Sequence, residues 1–394
     1  MTENNSMRIA YLFPHYAQKA GTERILIDKM NWLAEKGYSV YALSYEQGDH
    51  ADAFPLSGKV KRIDFNVRFF PLYRYHVAKR LVLTVVLRRK LIGKLRDFVS
   101  TVRPDLMVCT TYAPFEIAAL TRVCQPLQIP FVIESHSTYL NAHSTDMLSL
   151  VMHRKHSLSR RQLAAVNRVV ALTDGDAAEW RRVVSRVEVI PNMVHLNDAR
   201  QYASLDSRQV IFAGRLEQQK GLPELLAVWQ SVHQTHPDWT LHVYGTGPQR
   251  QWFVDEVERR NIGIVVHEPV ADIMTKYKES SMLMLTSVYE PFGLVLVEAM
   301  SCGLPVVSFD SPYGPADIIT DGQDGYLVEQ GNVEAFADRL RRLMDDPQLR
   351  KTFGQRAIVS SQRFAADKVM PRWEQLFTSL ISPSRSQSGN SQQS

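Results

Sequence analysis

Short apolar runs of four to seven residues alternate with longer, helix-patterned stretches along most of the chain, and the alternation begins afresh near its midpoint. Strands that alternate with helices pair in parallel, because each crossover helix returns the chain to the same end of the sheet. The first series comprises "MRIAYLF" (7–13), "YSVYALS" (38–44), "DLMVCT" (105–110), "PFVIES" (130–135) and "RVVALT" (168–173). After "VEVIPNMVH" (187–195) a second begins: "QVIFAG" (209–214), "TLHVYG" (240–245), "IGIVVH" (262–267), "SMLMLT" (281–286) and "LPVVSFD" (304–310), with "DGYLV" (324–328) behind a turn. Helical patterns lie between them. "TERILIDKMNWLAEKG" has Thr22 as a candidate N-cap and Gly37 as its stop.

The pattern predicts an α/β protein with two doubly wound, Rossmann-like domains facing across a cleft. The predicted limits are 1–195 and 196–365, a closing helix over 366–381, and a polar, disordered tail over 382–394. A chain of 394 residues exceeds what one core usually serves.

Charge divides the same way. Residues 1–200 carry 28 Lys+Arg against 18 Asp+Glu, and the remainder carries 18 against 23. Opposite signs point to different partners for the two halves. The three cysteines, Cys109, Cys124 and Cys302, lack paired or zinc-type spacing, which favours a reducing, cytoplasmic setting. The N-terminus has no basic start followed by an apolar stretch. No apolar run approaches the roughly 20 residues needed to cross a bilayer.

Ligands of parallel α/β sheets bind at the carboxyl ends of strands, so residues directly behind the apolar runs are the candidates. In "FAGRLEQQKG" a strand ends at Gly214, and Arg215 and Lys220 bracket the turn into a helix. They read as a diphosphate clamp or as two solvated cations. "VYGTGPQR" begins like a dinucleotide fingerprint. Arg250 holds the third glycine position and no clear acidic partner follows, so it reads as a tight strand-to-helix turn. "EPFGLVLVE" sets Glu290 in a loop before a short helix and Glu298 inside it, among aliphatic residues. Unpaired N–H groups at that helix start favour an anion. Glu298 is a ligand contact or an exposed helix residue.

In the first half, Gly21 and Thr22 open a helix behind the first strand, and His136 directly follows another. His136 has a structural reading beside a functional one. "TDGD" (173–176) suits a helix cap better than a metal site, since Thr173 or Asp174 can cap the helix "AAEWRRVV" and Asp176 favours its first turn. Residues 59–103 hold 13 Lys/Arg and two acids, with Phe65, Phe69, Phe70, Tyr73 and Tyr75 interleaved. Lys79, Arg80, Arg88, Arg89, Lys90 and Lys94 flank apolar residues in "AKRLVLTVVLRRKLIGKLRDF". This stretch suits the surface of an anionic membrane, a domain helix with solvated cations, or nucleic acid, though no nucleic-acid recognition motif supports the last.

Taken together, "GTER", "FAGRLEQQKG", "VYGTGP", "EPFGLVLVEAMSCGLPVV" and "DGYLV" resemble the retaining family 4 glycosyltransferases of the GT-B fold. The resemblance spans about 7–380 and is densest over 209–328. The start of the chain and "SPYGPADIITDGQDGYLV" look more narrowly like bacterial enzymes that build cell-surface polysaccharide, of the capsule or lipopolysaccharide kind, on a lipid carrier.

The resemblance implies a nucleotide-sugar donor, UDP-linked by first expectation, and a lipid-linked saccharide acceptor at the inner face of the cytoplasmic membrane. Arg215 and Lys220, with Gly214 before them, would hold the diphosphate, and Gly21 and Thr22 would close on it. Glu290 and His136 would meet the donor sugar. The N–H groups of Phe292, Gly293 and Leu294 would approach sugar and phosphate, Glu298 would bind ribose hydroxyls, and Val270 would lie near the base. Pro291 departs from the commoner glycine and removes one N–H. Neither a metal nor another cofactor is expected. An epimerase of the same architecture and a catalytically idle nucleotide-sugar-binding partner are the alternatives.

Overall fold

The computed structural model describes residues 6–69, 71, 74–110, 114–136, 160–197 and 201–385. Phe70, Tyr73, the end of "ESHSTY" and the tail from 386 lie outside the described residues.

Two parallel sheets carry the chain. In the first, β1 (Arg8–Leu12), β2 (Ser39–Ser44), β3 (Lys61–Asp64), β4 (Leu106–Thr110), β5 (Phe131–Ser135), β6 (Arg168–Ala171) and β7 (Val187–Val189) lie in the order β3-β2-β1-β4-β5-β6-β7. The second contains β8 (Gln209–Ala213), β9 (Thr240–Tyr244), β10 (Ile264–His267), β11 (Met282–Leu285), β12 (Val306–Phe309) and β13 (Gly325–Val328), in the order β10-β9-β8-β11-β12-β13. Both orders run outward from the first strand and then reverse. The chain therefore diverges at β1/β4 in one sheet and at β8/β11 in the other, which are the crevices where doubly wound sheets bind ligands.

Strand β3, "KRID", has no apolar run to announce it. It pairs with β2 at the sheet edge with two exposed and two half-buried residues. Central strands such as β4 and β5 are buried at every position, as a parallel sheet covered on both faces requires. Helix α1 (Gly21–Glu35) packs Ile25, Leu26, Met30 and Leu33 inward. It starts two residues earlier than a Thr22 N-cap implies. Ala20, extended at φ −128° and ψ 166°, is the N-cap, and Thr22 lies inside the first turn. No side chain caps this terminus.

Contacts divide the chain into two compact units. The first draws on Met1–Leu172, Asp176–Ile190 and Met370–Ser394, and the second on Thr173–Gly175 and Pro191–Val369. The last described helix, Ala366–Arg385, is longer than the 366–381 expected, because "SPSR" continues it. Its residues from Met370 onward belong to the first unit. There Tyr38 donates to Glu374 at 2.8 Å, Arg372 donates to the Val189 carbonyl, and the Trp373 ring lies 3.4 Å from Lys29 Nζ.

Candidate functional site

In the second unit, three loops meet at the carboxyl ends of β8, β11 and β12. Helix α6 (Leu222–Thr235) follows the β8 loop, and the eight-residue α9 (Leu294–Ser301) follows the β11 loop; for reference along the chain, α2 is Val77–Val102, α3 Pro114–Cys124, α4 Arg160–Ala165, α5 Asp174–Arg181, α7 Arg250–Arg260 and α8 Ile273–Glu279. Both helices start from a glycine N-cap, Gly221 and Gly293, with no capping side chain, so their first N–H groups are left for another acceptor. Gly221 is obligatory on two counts. Its φ is +61°, and a Cβ there would stand 2.1 Å from the Thr286 carbonyl oxygen.

Backbone and side-chain bonds lace the β8 and β11 loops together. Val288 N–H donates to the Gln219 carbonyl at 2.8 Å, Gln219 Nε2 to the Tyr289 carbonyl at 3.1 Å, and Thr286 Oγ1 to the Lys220 carbonyl at 3.0 Å. The result is a close ion pair: Lys220 Nζ lies 2.5 Å from Glu290 Oε2, which also accepts from Ser287 Oγ at 3.1 Å. Two residues 70 apart in sequence thus meet across the β8/β11 crevice. The third loop fixes the backbone of Glu290. Its N–H donates to the Pro312 carbonyl at 3.2 Å, and its carbonyl accepts from Gly314 N–H at 2.8 Å. Between these contacts Tyr313 holds φ +90° and ψ −78°, a strained conformation for a side-chain-bearing residue.

Next to the pair opens a cavity of about 630 Å³, lined by residues 217–219, 248–249 and 288–289. Its walls come from the loops behind β8, β9 and β11. The glycines of "VYGTGP" build one wall by allowing close packing: a Cβ on Gly245 would lie 2.0 Å from the Gly214 carbonyl oxygen. Leu216 N–H reaches the Thr246 carbonyl at 3.0 Å. The motif is a tight turn against the Arg215 loop, as its missing third glycine indicates.

The other expected residues fall into place unevenly. Gly214 backs onto the Lys220 stem, with a notional Cβ 3.4 Å from Lys220 Cε. Arg215 is exposed and pairs with Glu217 at 3.5 Å, not with Glu290. Phe292 is buried, its ring 5.5 Å from that of Phe364, so only its backbone can serve a ligand. Leu294 opens α9. Glu298, half-buried on that helix, accepts from Tyr277 Oη at 3.4 Å. Val270 is 38% exposed in the turn behind the edge strand β10.

In the first unit, His136 directly follows β5, and its side chain is almost wholly buried. Its Nε2 lies 3.0 Å from Glu134 Oε1, the same oxygen that meets Lys29 Nζ at 2.5 Å. Burial would push the Glu134 carboxyl up, but Lys29 and His136 outweigh it and hold the group well below the usual carboxylate range. Burial draws Lys29 down to about 8 against the pull of Glu134. Tyr11 Oη, Thr110 Oγ1 and Glu134 Oε2, on the neighbouring strands β1, β4 and β5, are buried with no hydrogen-bond partner among the described residues. Gly21 and Thr22 stand in the uncapped first turn of α1.

Sequence reasoning missed Lys29, Glu134, Ser287 and Tyr313. Glu134 had a signal, an acid at the end of an otherwise apolar run. Lys29 looked like an ordinary helix cation.

Comparison with known proteins places both units. The family model "Glycosyltransferase Family 4" matches residues 20–198, and "Glycosyl transferases group 1" matches 196–359. The chain belongs to the family 4 glycosyltransferases. It is 25% identical over 381 residues to the amylovoran biosynthesis glycosyltransferase AmsD of Erwinia amylovora, covering 94% of this chain and 99% of that protein. It is 32% identical over 230 residues to an exopolysaccharide phosphotransferase of Streptomyces coelicolor, covering 55% of this chain but only 24% of that longer protein. Among solved structures, a TarM variant of S. aureus in complex with fondaparinux, alpha-GlcNAc-glycerol and UDP superposes with a TM-score of 0.75 at 14% identity, over 94% of this chain and 99% of that one. That likeness establishes the GT-B fold.

Proposed function

We propose that this glycosyltransferase moves a sugar from a UDP-sugar to a lipid-linked saccharide in bacterial polysaccharide biosynthesis, with retention at the anomeric carbon. The observation that carries the reading is the Lys220–Glu290 pair at the β8/β11 crevice, between two helix starts that no side chain caps. A departing nucleoside diphosphate needs fixed positive charge more than a proton. Lys220, Arg215 and the N–H groups at Leu222 and Leu294 supply it from groups already oriented. The names of the relatives, amylovoran and exopolysaccharide enzymes, support the pathway class, and the UDP of the TarM complex supports the nucleotide.

In the proposed reaction the bond from the anomeric carbon to the phosphate oxygen breaks with oxocarbenium character. The acceptor hydroxyl oxygen bonds to that carbon on the same face, and its proton passes to the departing phosphate. Glu290 binds hydroxyls of the sugar, Glu298 binds the ribose, and backbone N–H groups of Phe292, Gly293 and Leu294 line the approach. Val270 lies by the base. Gly21 and Thr22 at the α1 start, for the diphosphate, and His136 behind β5, for the sugar, are the donor contacts proposed on the first unit. No step calls on a metal, so turnover should persist in chelator.

The test is incubation of the full chain with a panel of nucleotide sugars and a lipid-diphosphate saccharide, with products identified by mass. Consumption of one UDP-sugar only when acceptor is present, yielding an extended lipid-linked saccharide, is expected. Release of free sugar or an epimer without acceptor would overturn the transferase reading, and loss of activity in chelator would overturn its metal independence.

A further inference from the structure

Helix α2 spans 26 residues, about 39 Å at 1.5 Å per residue, and its two halves differ. The second half packs conventionally, burying Leu91, Leu95, Phe98 and Val99 in the core of the first sheet. The first half lays only one narrow face on the domain, through the half-buried Leu83, Thr84 and Leu87. Val77, Leu81 and Val85, spaced four apart, and Val82 and Val86 beside them are 50–73% exposed. Five contiguous aliphatic side chains on one exposed helix face form a patch that a soluble surface rarely leaves uncovered.

Its surroundings are one-signed. Between Arg74 and Arg96 the chain carries eight Lys/Arg and no acid, and all eight are exposed. No ion pair among the described residues engages Lys79, Arg88, Arg89, Lys90, Lys94 or Arg96. On the helix surface Arg88 borders the aliphatic arc on one side and Lys79 and Lys90 on the other, with Arg89 at its far end. No described helix is long and apolar enough to cross a membrane.

We propose that the first half of α2 lies in the surface of an anionic lipid bilayer, its aliphatic arc among the acyl chains and its cations at the headgroups. Three occupants could cover such a face, and charge and side-chain type choose between them. A second copy docked face to face would set eight cations against eight. A nucleic acid would satisfy the cations, but valine and leucine offer no ring on which bases stack. An anionic bilayer satisfies both parts at once. The proposal extends the lipid-linked-acceptor reading but does not depend on the chemistry of the site.

The experiment is co-sedimentation of the full chain with vesicles of phosphatidylcholine alone or mixed with phosphatidylglycerol. The vesicles contain no glycosyl acceptor, so the outcome is independent of the acceptor reading. The wild type should bind the mixed vesicles, weakly or not at all bind the neutral ones, and release as salt rises. Val82→Glu/Val86→Glu should cut binding at least about 10-fold through the aliphatic arc. Arg88→Glu/Arg89→Glu/Lys90→Glu should cut it about 100-fold or more, at roughly 1 kcal/mol per cation removed. Thermal melts that match the wild type confirm that both variants fold. Absence of wild-type binding, or equal binding by all three proteins, overturns the proposal. So does a glutamate variant whose only change is from dimer to monomer in light scattering, or wild-type preference for an oligonucleotide over the vesicles.

Discussion

Two lysine–glutamate pairs, one in each unit, close to the same 2.5 Å and live in different surroundings. Lys29 and Glu134 are each 1% exposed, with His136 on the shared carboxylate oxygen and the Trp373 ring over the ammonium. Lys220 and Glu290 retain 13% and 10% exposure, and each directly follows a residue that lines the cavity. A pair sealed from water cannot exchange partners without leaving a bare charge in a low-dielectric interior. A pair at the mouth of a crevice can share its ammonium with an incoming anion. The same contact therefore serves as a fastening in one unit and as a site in the other.

The sharpest way to break the comparison is to remove each ammonium. Lys29→Met leaves Glu134 buried without its main partner and should cost about 3–5 kcal/mol of stability, read from urea unfolding. Lys29→Met/Glu134→Leu should recover most of that loss, because an apolar pair of similar volume removes the stranded charge. Lys220→Met should move the midpoint far less. An equal loss from the two lysine variants would show that the second pair is also a fastening.

Activity should rank them in reverse. Lys220→Ala should lower kcat about 10²–10³-fold, corresponding to one lost donor to a developing negative charge. Arg215→Ala should cost less, since Arg215 is 61% exposed and spends its charge partly on Glu217. Near-normal turnover in Lys220→Ala, measured on a folded variant, would remove the diphosphate assignment.

A third acid sharpens what the cation does. Glu116 is buried like Glu134 but has no lysine; it accepts from Tyr45 Oη at 2.6 Å, and burial pushes it up to about 8. Its folded value exceeds its unfolded value near 4.5, so its contribution to stability is complete below about pH 4.5 and is lost as pH rises through about 8. Glu134 runs the other way, contributing at neutral pH and losing that contribution as pH falls from about 4.5 through about 2. Glu116→Gln should therefore flatten the fall in stability between about pH 4.5 and about pH 8 and leave the limb below pH 4.5 unchanged. Equal falls over that range in wild type and Glu116→Gln would show that another group controls it.

The contrast also explains what the sequence made legible. Strands covered on both faces need unbroken apolar runs, so the apolar runs along the chain announced every strand of both central regions. Strands β3 and β7, the two edges of the first sheet, did not show: "KRID" has neither an apolar run nor an alternation, and "VEV" is only three half-buried residues. Residues on loops behind strands, Lys220 and Glu290 among them, could be nominated because ligand chemistry concentrates there. Their meeting could not, since 70 residues and three crossovers separate them. Thr22 was misplaced as a cap because Ala20, with no side chain able to cap, takes the N-cap conformation instead. Nothing in "IDKMNW" distinguishes Lys29 from a solvated helix cation, and the carboxylate that captures it lies 105 residues on.

The smallest expected effect concerns how the buried pair is closed from above. Trp373 sits on the final helix, which the sequence indicated as a closing helix without the unit it packs on. Tyr38, just past the end of α1, holds that helix by donating to Glu374 at 2.8 Å. Tyr38→Phe removes one partly exposed hydrogen bond and should cost about 0.5–1.5 kcal/mol. The burial of Lys29 depends on the helix staying down. The same substitution should therefore raise amide exchange along residues 370–381, leaving exchange in the second sheet untouched. If exchange rises equally in β8 and β11, the final helix stabilises the whole chain, and the buried pair is not its particular charge.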